Sequence, residues 1–197
     1  EDDNGSTVLK QAARKGQSSA LRLLAKMGAS IKRLNSNQST VLSSAISGGH
    51  TNVVRLLLDM GADVNASWYG GITELMQAVS VGHSDVVRML VERGANLNAE
   101  DSVTGSTALM YAVLNGNSDV VRLLAEKGAD VNAMNRFGGT ALKSAATSGQ
   151  TDIVRILVEK GADVNAKTDL SPSALKSAAS EGHQDIVKYL KAHGATK

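Results

Sequence analysis

Residues 49–66 read GHTNVVRLLLDMGADVNA, and almost the same phrase occurs three more times further along the chain. The copies are GHSDVVRMLVERGANLNA from Gly82, GNSDVVRLLAEKGADVNA from Gly116 and GQTDIVRILVEKGADVNA from Gly149. Each copy places apolar residues at helical spacing and then ends in a glycine and a polar turn. A fixed repeat of this length predicts stacked structural units rather than one large core.

A second motif, T-x-L-x-x-A, gives the period of the repeat. Its hydroxyl residue recurs every 33 or 34 residues, at Thr7, Thr40, Thr73, Thr107, Thr140 and Ser173. We predict that this hydroxyl caps a first helix, because its oxygen can accept a hydrogen bond from the first helical turn. The predicted first helices end at Gly16, Gly49, Gly82, Gly116, Gly149 and Gly182.

The Val/Ile-Val-Arg-x-Leu segment predicts a second helix in each unit. These helices are expected to end at Gly28, Gly61, Gly94, Gly128, Gly161 and Gly194. Glycine suits such an end because a left-handed cap is easiest without a Cβ. Two helices of about ten residues cannot bury their apolar faces alone, so neighbouring units must stack.

Taken together, the turn, the T-x-L-x-x-A helix, the Gly-His pair, the second helix and Gly-Ala-Asp-Val-Asn resemble the ankyrin repeat. The resemblance covers residues 2–195. It implies an all-α fold, an ankyrin-repeat solenoid of stacked helix-turn-helix units with projecting β-hairpin turns. The family's T-P-L-H motif is incomplete here, since Glu74, for example, stands where the family has proline. Proline only pre-sets the first helical turn, so we expect the fold to tolerate the change.

We expect one domain spanning residues 1–197. The six repeats are expected at about residues 2–34, 35–67, 68–101, 102–134, 135–167 and 168–197. The first and last are expected to be polar capping units, because Ser19 and Ala20 replace the Val pair and Lys188, Lys191 and His193 lie among the apolar positions of the last.

Composition and charge exclude several classes of function. The net charge is +2 from 21 basic and 19 acidic residues, so no overall field attracts nucleic acid or anionic lipid. The chain has no cysteine, which excludes disulfides and thiolate sites. The longest apolar run, Ala108–Leu114, is far too short to span a bilayer. We therefore expect a soluble monomer, cytoplasmic rather than periplasmic or secreted, that binds neither membrane nor nucleic acid.

Three histidines, His50, His83 and His183, occupy the same position in different repeats. Stacked helices lie about 8–10 Å apart, whereas zinc needs its ligands about 2 Å from one centre. We therefore expect no metal site. The histidines are predicted to tie the turn between the helices to the backbone, with Asn117 and Gln150 taking this position in two other repeats.

Basic residues form a ladder with one member per repeat: Arg22, Arg55, Arg88, Arg122, Arg155 and Lys188. A nucleic-acid track could look like this. However, acidic residues recur three positions before and four after, which places opposite charges side by side on a helix. We therefore predict a neutralised ladder that does not bind nucleic acid.

Catalytic and cofactor motifs are absent from the sequence. There is no Ser/His/Asp order, HExxH, P-loop or Gly-rich nucleotide signature, and the glycines fall at periodic cap positions. We expect no enzyme activity, no catalytic residues and no cofactor.

The variable part of each repeat is the turn, which reads RLNSNQS, ASWYGGI, AEDSVTGS, AMNRFGG and AKTDLSP in successive units. The ankyrin resemblance implies that these turns project and, with the first helices, line a concave face that binds a protein partner. The predicted partner-binding residues are Trp68, Tyr69, Val103, Tyr111, Leu114, Arg136 and Phe137. Large rings on turns suit an interface better than a core. Tyr111 and its neighbour Met110 lie inside a helix and fit an inter-repeat core as well as a contact surface.

The leading hypothesis is a module that holds another protein on its concave face and hairpin tips. A second hypothesis is an engineered or purely structural scaffold without an evolved partner. A third is a fragment of a longer protein whose activity lies elsewhere, because the first residue is not Met.

Overall fold

A computed structural model describes residues 3–31, 39–168 and 172–196, and the side chains from residue 8 onward within the first range. Within these ranges the protein has twelve helices in six consecutive pairs. In chain order they are α1 Asp3–Arg14, α2 Ser18–Lys26, α3 Val41–Ser47, α4 Thr51–Asp59, α5 Glu74–Ser80, α6 Ser84–Glu92, α7 Ala108–Leu114, α8 Ser118–Glu126, α9 Ala141–Thr147, α10 Thr151–Glu159, α11 Ala174–Ser180 and α12 Gln184–Ala192. The mostly helical fold predicted from the repeat is confirmed.

Strand structure is confined to the turns. Strands β1 (Ser67–Trp68) and β2 (Ile72–Thr73) form an antiparallel hairpin, and Met134 and Thr140 form an isolated antiparallel bridge. These are the projecting β-turns that the sequence predicted. Most of the turn RLNSNQS and part of AKTDLSP lie outside the described residues.

The predicted helix ends are confirmed by backbone geometry. The twelve glycines that were predicted to end the helices all have a positive φ, between 66° and 94°. They are Gly16, Gly28, Gly49, Gly61, Gly82, Gly94, Gly116, Gly128, Gly149, Gly161, Gly182 and Gly194. Because side chains with a Cβ rarely adopt this conformation, glycine sets both helix lengths in every unit.

Hydroxyl capping is confirmed in four units and wrong in two. The side-chain oxygens of Thr40, Thr73, Thr140 and Ser173 accept hydrogen bonds from the backbone N–H three residues later. Thr7 lies inside α1, which begins at Asp3 rather than after Thr7. Acidic residues stabilise the N-terminal end of a helix, so the acidic start of the chain favours this earlier beginning. Thr107 makes no side-chain cap bond, and its Oγ1 is buried with no hydrogen-bond partner in the described part of the chain. The loop before Thr107 is one residue longer than its counterparts and closes on hydrogen bonds of its own.

The chain forms two compact units, Glu1–Asn96 and Leu97–Lys197. Within the first unit α3 packs between α1 and α5, and α4 between α2 and α6. Within the second unit α9 packs between α7 and α11, and α10 between α8 and α12. The leucine of each T-x-L motif is at most 5% exposed, so it lies at the centre of these layers.

Asparagines of the Asp-Val-Asn segment join each loop to the next one along the chain. In the second unit, Asn132 Nδ2 donates to the carbonyl oxygen of Gly161 (3.1 Å), and its Oδ1 accepts from the backbone N–H of Asp163 (2.7 Å). Asn165 makes the same pair of bonds with Gly194 and Thr196, and Asn65 with Gly94 and Asn96. We call these contacts the asparagine staples. They link neighbouring helix pairs through polar bonds outside the core.

Candidate protein-binding surface

The hairpin of residues 67–73 presents a tyrosine at its tip. Trp68 pairs with Ile72 across the strands, and Gly70 and Gly71 have φ of 77° and 72°, which closes the turn. Tyr69 is 77% exposed. The indole of Trp68 is only half-exposed, and its Nε1 is buried without a hydrogen-bond partner among the described residues. Tyr69 therefore lies in the turn of the hairpin, as predicted, whereas Trp68 lies in strand β1 and is partly packed.

The loop of residues 101–106 is organised around one buried carboxylate, which sequence reasoning missed. Asp101 is 1% exposed and accepts hydrogen bonds from the backbone N–H groups of Val103 (2.9 Å), Thr104 (2.6 Å) and Ser106 (2.9 Å). The Thr104 hydroxyl donates a further bond of 2.5 Å. Burial acts to raise the pKa of Asp101, but these donors outweigh it and hold the pKa below its ordinary value. The aspartate thus fixes the loop with Val103 outside, at 65% exposure.

The next turn, residues 134–140, is held by Asn135. Its Oδ1 accepts from the backbone N–H groups of Phe137 (3.0 Å) and Gly139 (2.8 Å), a side-chain-stabilised turn. Phe137 is 64% exposed at the tip. The only signal for this arrangement in the sequence was the polar, Gly-containing composition of the turn.

Arg136 joins these two loops. Its backbone N–H donates to the carbonyl oxygen of Thr104 (2.8 Å), and its guanidinium Nη1 donates to that of Ser102 (2.6 Å). Arg136 was predicted as a contact residue. In the structure its hydrogen bonds also hold the 134–140 turn against the 101–106 loop. Val103 and Phe137 are therefore presented by one hydrogen-bonded assembly of two loops.

Helix α7 contributes one exposed and one half-buried residue. Leu114, at its C-terminal end, is 66% exposed, whereas Met110 is 5% exposed and belongs to the core. Tyr111 is half-buried, and its hydroxyl donates to Asp101 Oδ2 at 3.4 Å. Burial, followed by the charge of Asp101, raises the pKa of Tyr111. Tyr111 therefore braces the 101–106 loop from the helix side.

Five of the predicted residues belong to the second unit: Val103, Tyr111, Leu114, Arg136 and Phe137. Trp68 and Tyr69 belong to the first unit. We call the five residues of the second unit the hairpin surface.

Comparison with known protein families covers almost the whole chain. The model described as "Ankyrin repeats (3 copies)" matches residues 1–68, 75–168 and 132–197. No curated protein gave a match.

The chain belongs to the ankyrin repeat family. Ankyrin repeats generally act as protein–protein interaction modules and are typically not enzymes. Among the described residues, no helix is long and apolar enough to cross a membrane.

Histidines at the start of the second ankyrin helix bond to the backbone of the preceding repeat. Nε2 of His50 donates to the carbonyl oxygen of Arg14, and Nε2 of His183 to that of Thr147, both at 3.0 Å. Gln150 donates in the same way to Val113 at 2.9 Å. This confirms the predicted role at these three positions. The side-chain oxygen of Asn117 accepts a bond from the N–H of Val120, in the first turn of its own helix. In the parts of the chain that the structure describes, no three His, Cys, Asp or Glu side chains form a group that could hold a metal.

The basic ladder pairs differently from the prediction. Within the described residues, the predicted same-helix spacing gives an ion pair only at Lys188–Asp185, at 3.9 Å. Two basic residues outside the ladder bridge neighbouring second helices, in the pairs Arg93–Asp59 at 2.8 Å and Lys160–Glu126 at 3.5 Å. The guanidinium of Arg155 instead lies 5.2 Å from the ring centre of Tyr189. Long side chains on a stack of helices reach the next repeat as easily as the next turn.

A buried carboxyl group at the start of α5 is the feature that sequence reasoning missed most clearly. Glu74 is 0% exposed, and its Oε1 accepts a hydrogen bond of 2.5 Å from the Thr40 hydroxyl. Its Oε2 is buried without a partner among the described residues. Burial, reinforced by the charge of Asp63, raises the pKa of Glu74 to about 7 despite the Thr40 bond. A signal was available in the sequence, because the corresponding position holds an apolar residue that is buried in four other repeats, namely Val41, Ala108, Ala141 and Ala174.

Proposed function

We propose that this ankyrin-repeat protein binds a protein partner through the hairpin surface of its second unit, with Phe137, Val103 and Leu114 as the apolar contacts. The observation that carries the proposal is the exposure of these three side chains, each about two-thirds accessible, on a scaffold whose backbone is already fixed. Large apolar residues in such positions are typical of interface anchors.

Rigidity supports the proposal, because ordering flexible loops opposes binding. The backbone of both turns is held by side-chain hydrogen bonds, from Asp101 in one and Asn135 in the other. Arg136 connects them, so the two tips cannot move independently without breaking its bonds. Few degrees of freedom therefore remain to be ordered when a partner binds.

The family's usual geometry suggests where the partner lies. In ankyrin repeats the turns and first helices line a concave face, and Leu114 lies on a first helix whereas Val103 and Phe137 lie on turns. We propose that the partner contacts both elements on that face. Tyr69 offers a comparable tip in the first unit, with Trp68 supporting it from a partly packed position.

The test is affinity capture from the source cell with the wild-type chain and with the Phe137→Ala/Leu114→Ala variant. If the captured partner uses the hairpin surface, the affinity should fall at least about thirtyfold, or about 2 kcal/mol for an anchor residue. The matched control is Val81→Ala, which removes another exposed apolar side chain, 43% accessible, outside this surface.

Two results would contradict the proposal. An unchanged affinity of the Phe137→Ala/Leu114→Ala variant would exclude the hairpin surface as the contact. If the wild-type chain captured nothing reproducibly, a scaffold without an evolved partner, or a fragment of a longer protein, would be the better reading.

A further inference from the structure

Glu74 lies where two repeats meet, at the base of the 67–73 hairpin. Its side chain is fully buried, and its Oε1 accepts a hydrogen bond from the hydroxyl of Thr40, the N-cap of α3 in the preceding repeat. Its backbone N–H donates to the carbonyl oxygen of Ala66 at 3.3 Å, directly before strand β1. We call these contacts the Glu74 junction. One residue therefore holds the base of the hairpin and joins it to the preceding repeat.

The carboxyl group at this junction is poorly placed to carry a charge. Among the described residues only Thr40 donates a hydrogen bond to it, and Oε2 is buried without a partner. One neutral hydroxyl cannot replace the water that an ionised carboxylate binds, so burial favours the neutral form. An ionised Glu74 gains free energy by reaching water, whereas a neutral one fits the closed junction.

The elements packed against α5 supply no buried charge that offsets this cost. These elements are α3, β2 and α6. Neither α3 nor β2 contains a titratable residue. The charged residues of α6 are all exposed, and they are Asp85, Arg88 and Glu92. The basic side chain that these three elements contain, that of Arg88, is therefore in contact with solvent.

Asp63, on the loop after α4, acts in the same direction as burial. Its negative charge adds to the desolvation of the carboxyl group, and together they raise the pKa of Glu74 to about 7 despite the Thr40 bond. The neutral and ionised forms are therefore both populated near neutral pH. Two basic residues, Lys32 and Arg33, precede Thr40 in the chain but lie outside the described residues, so a variant without their charges is part of the experiment.

The corresponding positions in four other repeats lack a titratable group. They hold Val41, Ala108, Ala141 and Ala174, all of which are buried. In the second unit, Thr140 caps α9 just as Thr73 caps α5, through a bond from the N–H three residues later. The second unit thus provides an internal comparison for the Glu74 junction.

We propose that ionisation of Glu74 opens its junction, so that the 67–73 hairpin and the first turn of α5 separate from α3. Because the charged carboxylate reaches water only through this separation, opening breaks the Thr40 bond and loosens the bond to Ala66 at the hairpin base. Trp68 and Tyr69 belong to this hairpin, so the tip that the first unit offers to a partner is held firmly only while Glu74 is neutral. This device is independent of the hairpin surface in the second unit.

Amide hydrogen exchange of the intact chain, followed by NMR spectroscopy, measures local opening. Two amides report on the junction: that of Glu74, bonded to Ala66, and that of Met76, bonded to the Thr73 hydroxyl at 3.2 Å. The pKa of Glu74 rises from 4.5 to about 7 on folding, so linkage makes opening about tenfold more favourable at pH 8 than at pH 6. The protection factors of both amides should fall by the same factor.

Two further amides separate a local opening from loss of the whole fold. The N–H of Lys143, bonded to the Thr140 hydroxyl at 3.1 Å, occupies the equivalent position in the second unit, and its protection factor should change less than about twofold. Leu90 lies in the core of α6, in the same unit as Glu74. At pH 8 the protection factor of Met76 should be at least about tenfold below that of Leu90, because the junction opens without unfolding α6.

Variants identify the titrating group. Glu74→Gln is neutral at every pH and should abolish the fall in protection, and Asp63→Asn should move the fall to lower pH, because the charge of Asp63 raises the pKa of Glu74. Lys32→Gln/Arg33→Gln should retain the fall. The matched control Glu92→Gln removes an exposed carboxylate from α6 and should behave as the wild type. Circular dichroism checks that each variant is folded.

Four results at these amides would overturn the proposal. They are a wild-type protection factor at Met76 that stays constant between pH 6 and pH 8, a fall that persists in Glu74→Gln, a fall of equal size at Lys143, and a protection factor at Met76 equal to that of Leu90. The last two would show that the whole fold, rather than the junction, responds to pH. Loss of the pH dependence in Lys32→Gln/Arg33→Gln would assign it to those charges instead.

Discussion

Replacing Glu74 by glutamine should abolish a specific pH dependence of stability. The group has an ordinary pKa of 4.5, which the fold raises to about 7. Between these values the unfolded chain releases the proton while the folded protein keeps it, so the folded state binds more protons. The free energy of unfolding must therefore fall as the pH rises from about 4.5 to 7, and it levels off above that range.

The size of the effect follows from the pKa difference. Each pKa unit corresponds to about 1.4 kcal/mol, so the shift should lower the free energy of unfolding by about 3 kcal/mol between pH 4.5 and pH 7. Glutamine is neutral at every pH and retains an oxygen that can accept the Thr40 hydroxyl bond. The Glu74→Gln variant should therefore match the wild type near pH 4.5 and exceed its stability by up to about 3 kcal/mol at pH 8.

The assay is urea unfolding at pH 4.5, 6 and 8, followed by the fluorescence of Trp68, the only tryptophan. Trp68 lies in the same compact unit as Glu74, so its signal reports the relevant repeats. Glu92→Gln is the matched control, because it removes the same charge from an exposed position on α6 and should leave the pH profile unchanged. A gain from Glu74→Gln that is equal at pH 4.5 and pH 8 would refute the reasoning.

Other substitutions test the packing of the loops and helices. Phe137→Ala should change the free energy of unfolding by less than about 1 kcal/mol, because the ring is mostly exposed, whereas Trp68→Ala should cost more, since most of its surface is packed. Equal small effects in thermal melts would contradict this difference in burial. Asp101→Asn should destabilise the second unit at neutral pH, because the charged acceptor of four hydrogen bonds is lost. Since folding lowers the pKa of Asp101, the stabilisation should be present above the ordinary pKa and disappear as the pH falls through the pKa of the folded state. A stability difference between variant and wild type that stays constant down to pH 2 would argue against this role. Leu123→Ala, a buried second-helix change, should cost about 2–5 kcal/mol in urea titrations, and a loss below 1 kcal/mol would mean that the site repacks.

The periodic part of the fold could be predicted from the sequence because it depends on local rules. Positive φ at Gly61 or Gly149 follows from the missing Cβ, and the burial of Leu42 or Leu142 from helical spacing. The same rules failed at Thr7 and Thr107, where the residues that precede the motif differ from the consensus. A repeat pattern predicts what is common to all units better than what is particular to one.

The candidate site could be predicted only in part. Tyr69, Val103, Leu114 and Phe137 are exposed, as residues outside the apolar pattern should be. The partial packing of Trp68 depends on its partner across the hairpin, which composition does not reveal. The bonds from Asp101 and Arg136 depend on contacts between one loop and the next, and no local spacing encodes them.

The partners and the burial of some charged side chains also depend on neighbouring repeats rather than on their own helix. The sequence indicated i, i+3 and i, i+4 neighbours for the basic ladder, but its member Arg155 lies over the ring of Tyr189 in the next repeat. Arg93, outside the ladder, reaches Asp59 on the adjacent second helix. The burial of Glu74 arises in the same way, from the repeat that packs on it. In a stacked protein the relevant partner is often one period away in sequence.

The asparagine staples bear on how such a chain can change over generations. Each staple uses an asparagine side chain on one loop and two backbone groups on the next, a glycine carbonyl and an N–H group. The residue that supplies the N–H is Asn96, Asp163 or Thr196, so this backbone bond does not require one particular side chain, although the Thr196 hydroxyl also donates to Asn165 Oδ1 at 3.1 Å. A repeat that is duplicated, or whose exposed residues are replaced, can still be joined to its neighbour by the same bonds. Selection can therefore alter the tips of the turns one unit at a time while the connection between units is inherited unchanged.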